Sequence, residues 1–368
     1  MSRVRPEARP PGAPGPTPQV EALKPYSVPS AGRRNALRLD FNESTVGPSP
    51  RVLERLRRLE VEDISLYPDE TEARAAVARR FGLDRRTDLD LVLTSGVDEG
   101  IRLVCDCFVR AGEKVALVDP GYAMYRFYAT LSGATVVDAA CEEDLSFPAA
   151  ALRVASAGCR LVIVGNPHNP TGAPAPPGFV EDLAAAFPEA IVLADEAYAE
   201  FAGDSSIGAL GRRPNLIVAR TFSKAYGLAG MRAGVLLGGR EAIRWVARMR
   251  SPYAVNSIAL LALVAALGDE AWMERYVTEV RAARDGLGAS LRALGIATYP
   301  SAANFLVARF GDRAPALREA LRRRGVLVRD RGDHPLLRGT LRIGVGTRAQ
   351  AGAFLEALVP ALAEEEPR

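Results

Sequence analysis

Lys224, in ARTFSKAYGLAGMR at 219–232, is one of only three lysines in a chain of 368 residues with 47 basic side chains; the others are Lys24 and Lys114. Arginine stays protonated, whereas a lysine in a suitable site loses its proton and attacks a carbonyl carbon. So scarce a residue is either a trace of surface composition or an amine placed where one is needed. Beside it stands a hydroxyl, Ser223, and eight positions on a guanidinium, Arg232. The two can reach one phosphate. In ADEAYAEF (194–201), Asp195 follows an apolar run, where an unpaired carboxylate is costly. It is either a helix cap or the partner of a cation. TSGVDEG (94–100) sets Gly96, Val97 and Asp98 at a strand-to-helix turn whose backbone N–H groups suit an anion. These features converge on a ligand with a phosphate, a ring nitrogen kept protonated, and an aldehyde that Lys224 can hold as a Schiff base. Neither GxGxxG nor GxxxxGK[ST] occurs, which argues against a dinucleotide and a P-loop nucleotide.

The elements that would position these groups alternate along the chain. Short β-branched runs at 91–96, 114–120, 160–167, 190–198, 215–223 and 233–239 are separated by helical stretches such as EGIRLVCDCFVRAG. That pattern predicts an α/β fold, a mostly parallel sheet with helices on both faces, which binds ligands at the carboxyl ends of its strands. GNPHNPTG (165–172) falls at one such end and must be an irregular loop, because a residue before proline is pushed out of the helical region. After about residue 250 the character changes. Met273, Val277, Val280, Leu287, Leu291 and Leu294 predict a long amphipathic helix, loosened by Gly286 and Gly288, ahead of two short strands in a smaller α+β domain.

Composition bounds the rest. Apolar content of 48%, charged content of 25% and a net charge of +3 spread along the chain suit a globular protein, with no nucleic acid or membrane as partner. Cys105, Cys107, Cys141 and Cys159 lack zinc spacing, so no metal is expected, and they fit a reduced, cytoplasmic protein. IALLALVAAL (258–267) is too short to span a bilayer and predicts a buried helix. The expected division is a disordered proline-rich leader at 1–18, an N-terminal arm at 19–45 packing on the small domain, a large domain at 46–250 and a small domain at 251–368.

GNPHNPTG, ADEAY and SKAYGLAGMRAG, in that order and spacing, resemble the pyridoxal-phosphate-dependent aminotransferases of fold type I. LDFNESTVGPSP, LYPD, DPGYAMY, ANFLVARF and VRDRGDHPLLRGTLRIGVGT make the chain more similar to the histidinol-phosphate aminotransferase family. The resemblance implies a mostly parallel seven-stranded sheet sandwiched by helices, pyridoxal 5'-phosphate as cofactor, and a homodimer with shared active sites. It implies that Lys224 bonds the cofactor aldehyde and then moves the substrate proton. Asp195 would pair with the pyridine nitrogen, Asn169 and Tyr198 with the 3′-oxygen, and Tyr122 with the ring face. Gly96, Val97, Asp98, Ser223 and Arg232 would hold the phosphate, and Tyr67 would reach the cofactor of the neighbouring subunit. Arg342 would grip a carboxylate, with Asn42 beside the substrate and Tyr26 and Arg329 on a substrate phosphate. The implied reaction moves an amino group from L-histidinol phosphate to 2-oxoglutarate. An aminotransferase for an aromatic or specialised amino acid, or a related lyase or decarboxylase, stays open at this stage.

Overall fold

The computed structural model describes residues 15–21, 23 and 32–364, so Tyr26 and most of the proline-rich leader lie outside the described residues. Among the described residues, twelve strands form two sheets. In chain order they are β1 (Leu37–Leu39), β2 (Leu89–Thr94), β3 (Lys114–Asp119), β4 (Thr135–Ala140), β5 (Leu161–Gly165) and β6 (Ile191–Asp195). Then come β7 (Leu216–Thr221), β8 (Gly234–Gly239), β9 (Ala297–Thr298), β10 (Phe305–Arg309), β11 (Val326–Asp330) and β12 (Thr340–Gly344).

The larger sheet runs β2-β8-β7-β6-β5-β3-β4, with β8 antiparallel to both neighbours and the remaining pairs parallel. Its inner strands are apolar on both faces because each face is covered. Leu161, Ile163, Leu193 and Ile217 enter one core with the helices Gly96–Phe108 and Arg240–Met249, while Val162, Val164, Val192 and Val218 enter the other. Strand β4 is not among the expected runs; it is an edge strand of which only Ala139 is buried, so its short TVVDAA segment carries little core pattern.

The smaller sheet runs β1-β11-β12-β10-β9, so a strand from residues 37–39 closes the edge of a sheet otherwise built after residue 296. The helix Pro18–Glu21, by contrast, lies against Ala123–Leu131 of the large sheet's layer rather than on the small sheet. The long helix Glu270–Ala293 is continuous through Gly286 and Gly288, burying Val280, Leu287 and Leu291 on one face. Packing of that face outweighs the weak helix preference of two glycines. The helix Ser257–Leu267, although numbered beyond residue 250, packs on Pro50–Leu56 and Thr71–Arg80. Among the described residues no helix is long and apolar enough to cross a membrane.

Candidate active site

The strands β5, β6 and β7 end together, and their ends are the floor of a cavity of about 550 Å³. Asp195 closes β6, level with Gly165 of β5 and Ala219 of β7. It is 5% exposed, and its carboxylate accepts the Tyr125 hydroxyl at 2.7 Å and the Ala197 N–H at 3.1 Å. Burial pushes its pKa up to about 6, against the two hydrogen bonds, which pull it down. No cationic side chain among the described residues forms an ion pair with it. A buried acid of this kind suits a cationic ring nitrogen.

Lys224 follows β7 and sends Nζ to the Phe41 carbonyl at 2.9 Å. Burial, with the nearby Arg342 and Arg232 charges, lowers its pKa to about 8, and Glu43 and Asp98 oppose that fall. The amine is therefore partly neutral, and nucleophilic, near neutral pH.

At the far end the helix Gly96–Phe108 begins. Gly96 has φ +77°, and a Cβ there would lie 2.7 Å from the Arg232 guanidinium. Glycine is required because the turn is left-handed and the arginine occupies the space a side chain would take. Arg232 is itself left-handed, at φ 57°. Its Nη2 donates to Asp98 at 3.2 Å, and Asp98 also accepts the Tyr122 hydroxyl at 2.8 Å. With the buried hydroxyls of Thr221 and Ser223, this end offers a helix N-terminus, a guanidinium and two hydroxyls. That donor set suits a phosphate.

One wall comes from distant parts of the chain. The Asn42 side chain donates to the Tyr198 oxygen at 3.1 Å, and Asn169 donates to the same oxygen at 3.4 Å. Arg342 donates to Asn169 Oδ1 and to the Asp40 carbonyl, both at 2.8 Å. Arg329 lies opposite Arg342 in register on β11, with its guanidinium 5.6 Å from the Phe41 ring centre.

Of the residues marked from sequence, Val97, Asp98, Tyr122, Asn169, Asp195, Tyr198, Ser223, Lys224 and Arg232 line this cavity, as do Asn42, Arg329 and Arg342. Gly96 sits behind it against Arg232. Tyr67 does not; it is 77% exposed and stacks on Tyr253 at 4.3 Å. Nine lining residues went unmarked, among them Phe41, Tyr125, Thr221 and Arg331. Arg331 carried a signal, since it stands two positions after Arg329 and alternate residues of an extended chain share a face. Phe41 acts through its carbonyl, which no side-chain pattern reveals.

A glycine-lined anion cradle, a buried acid without a cation and an amine of lowered pKa fit pyridoxal phosphate at its phosphate, ring nitrogen and aldehyde. The family model for aminotransferase class I and II matches residues 34–358. The chain is 39% identical to the histidinol-phosphate aminotransferase of Roseiflexus castenholzii, over 93% of this chain and 96% of that one. It is 36% identical to that of Symbiobacterium thermophilum, over 94% and 98%. Among solved structures, histidinol-phosphate aminotransferase from Sinorhizobium meliloti in complex with pyridoxal-5'-phosphate matches with a TM-score of 0.83 and 28% identity, covering 95% of this chain and 98% of that one.

Proposed function

Because the chain belongs to the class I and II aminotransferases, and within them to the histidinol-phosphate aminotransferase family, we propose that it moves the amino group of L-histidinol phosphate to 2-oxoglutarate. It is a pyridoxal-phosphate-dependent aminotransferase. The bound cofactor supplies an aldehyde that takes up the amino group and a ring that draws electrons from the substrate Cα.

The protein's own residues do the rest. Lys224 Nζ would hold the cofactor and, when free of it, would carry the proton at the substrate Cα; its lowered pKa suits it to give and take that proton. Asp195 would keep the ring nitrogen protonated, and Tyr125 holds the Asp195 carboxylate in place. Gly96, Val97, Asp98, Ser223 and Arg232 would bind the cofactor phosphate, Tyr122 would face the ring, and Asn169 and Tyr198 would serve its 3′-oxygen. Asn42 orients Tyr198. Tyr26, together with Arg329, is assigned to the substrate phosphate.

The observation that carries the substrate assignment is the pair Arg329 and Arg342, which face the same cavity as Lys224 from adjacent strands. Two guanidiniums can take up the phosphate of the amino donor and, in the second half-reaction, a carboxylate of 2-oxoglutarate. We assign the protein to the cytoplasm as a homodimer in which Tyr67 reaches the neighbouring site. Its exposure, shared with Val61, Ile64, Leu66 and Tyr253, supports that assembly.

The test is a single turnover of the cofactor-loaded enzyme followed by cofactor absorbance, with L-histidinol phosphate and separately with a panel of amino acids. Rapid conversion by histidinol phosphate supports the reading. Conversion only by another amine keeps the aminotransferase and removes this substrate, and release of carbon dioxide or pyruvate without amino transfer points to a lyase.

A further inference from the structure

Arg331 has no part in the assignments above, yet it lines the same cavity as Arg329 and Arg342. It follows the end of β11 two residues after Arg329, and alternate residues of an extended chain face the same side. One strand end thus brings two guanidiniums to the cavity, while Arg342 stands opposite Arg329 on the next strand.

The three arginines differ in what already occupies them. Arg342 is held by Asn169 and the Asp40 carbonyl. Arg329 lies over the Phe41 ring. Among the described residues the ion contact of Arg331 is with Asp333, Nε to Oδ1 at 3.6 Å, and the Asp333 side chain is 77% exposed, whereas that of Arg331 is only 19% exposed. An exposed carboxylate at that distance contributes little. Arg331 is a largely desolvated cation with a weak partner, at the edge of a site that receives anions.

The loop carrying it is not loose. Asp330 accepts the Gly332 N–H at 2.7 Å, and the His334 N–H donates to the Arg331 carbonyl at 3.1 Å. His334 Nδ1 accepts the Leu336 N–H at 3.3 Å, so in the neutral ring the proton sits on Nε2, which meets Asp119 Oδ2 at 2.9 Å. Asp119 ends β3, so this bond ties the loop of the smaller sheet to the floor of the larger one.

We infer that Arg331 is a specificity-determining residue that joins Arg329 in binding the doubly charged phosphate of the amino donor, and that the His334–Asp119 hydrogen bond positions it. The inference rests on the proposed phosphate-bearing substrate. A second guanidinium favours a phosphate dianion over a carboxylate, because the phosphate brings more charge and more acceptor oxygens to the same cations.

The experiment compares cofactor-loaded wild type with Arg331→Gln in two half-reactions, with L-histidinol phosphate and with L-glutamate. Loss of one charge-assisted contact should lower kcat/KM for histidinol phosphate about tenfold or more beyond any loss for glutamate, mainly through KM. Inorganic phosphate titrated calorimetrically into the loaded enzyme should bind correspondingly more weakly to the variant. Equal losses in the two half-reactions, or unchanged phosphate binding, would overturn the inference. A wild type that converts histidinol phosphate with Arg331→Gln unimpaired removes this inference alone; a wild type that does not convert it removes the proposed function as well. If His334 acts by positioning, His334→Ala raises KM for histidinol phosphate in wild type but adds nothing to Arg331→Gln, whereas additive losses refute that part.

Discussion

The Tyr125 hydroxyl lies 2.7 Å from Asp195 Oδ2, joining the helix that follows β3 to the last residue of β6 inside the floor of the cavity. The bond lowers the Asp195 pKa against the burial that raises it. A Cβ on Gly165 would lie 3.0 Å from the same hydroxyl, so β5 leaves it just enough room. Tyr125→Phe removes a stabiliser of the carboxylate, and Asp195 then ionises at higher pH. The acid limb of the kcat/KM profile should move up, with a loss of roughly tenfold in rate near neutrality; an unmoved limb excludes the role given to Tyr125.

Asp195 places function against stability. The unfolded carboxyl ionises near its ordinary 3.8 and the folded one near 6. The unfolded state therefore sheds its proton first, so this group's contribution to stability falls as pH rises through that interval and stays low above it. In the cofactor-free protein, Asp195→Asn should melt at pH 7 no lower than wild type, and the difference should disappear below about pH 4. In the loaded enzyme the same change should cost about a hundredfold or more in rate, because no charge then holds the ring nitrogen protonated. Melting curves at the two pH values and a turnover assay check both halves.

Lys224 predicts the pH dependence of cofactor uptake. Its amine is depressed from 10.5 to about 8, and only the neutral form attacks an aldehyde. The rate at which cofactor-free protein captures pyridoxal phosphate covalently should rise with pH and level off above about 8, in stopped-flow absorbance. A rise that continues toward 10.5 would place the amine in an ordinary solvated setting. Lys224→Ala should bind cofactor without covalent capture and show no steady turnover.

Behind the site, Arg220 bridges Glu196 at 2.9 Å and Glu200 at 2.5 Å, with all three side chains at most 5% exposed. Arg220→Ala strands two buried carboxylates and should cost about 3–5 kcal/mol in chemical denaturation. Replacing the cluster together, with Arg220→Leu, Glu196→Gln and Glu200→Gln, should recover most of that loss, since no charge is then left unpaired. If the single variant is as stable as wild type, the cluster does not hold the ends of β6 and β7.

The groups that do the chemistry were legible where each sits at the end of its own strand. Gly96 after β2, Asp195 at the end of β6 and Ser223 with Lys224 after β7 are local features, and a parallel sheet brings the carboxyl ends of its strands to one side whatever their order. Glycine and proline at the turns, and the scarcity of lysine, made them stand out. The alternating apolar runs likewise predicted both layers around the sheet, except at the largely exposed edge strand β4.

What closes around those groups depended on contacts between residues far apart in the chain. Asn42 reaches Tyr198 across 156 positions, and the Phe41 carbonyl meets Lys224 across 183. β1 enters a sheet made of strands that follow it by more than 250 residues, and through it Asp40 meets Arg342. Periodicity and propensity report the few neighbours within one element. Which carbonyl meets which amine, and where Tyr125 and Arg331 point, follows from how whole elements pack once their apolar faces are buried, so only the tertiary structure decided it.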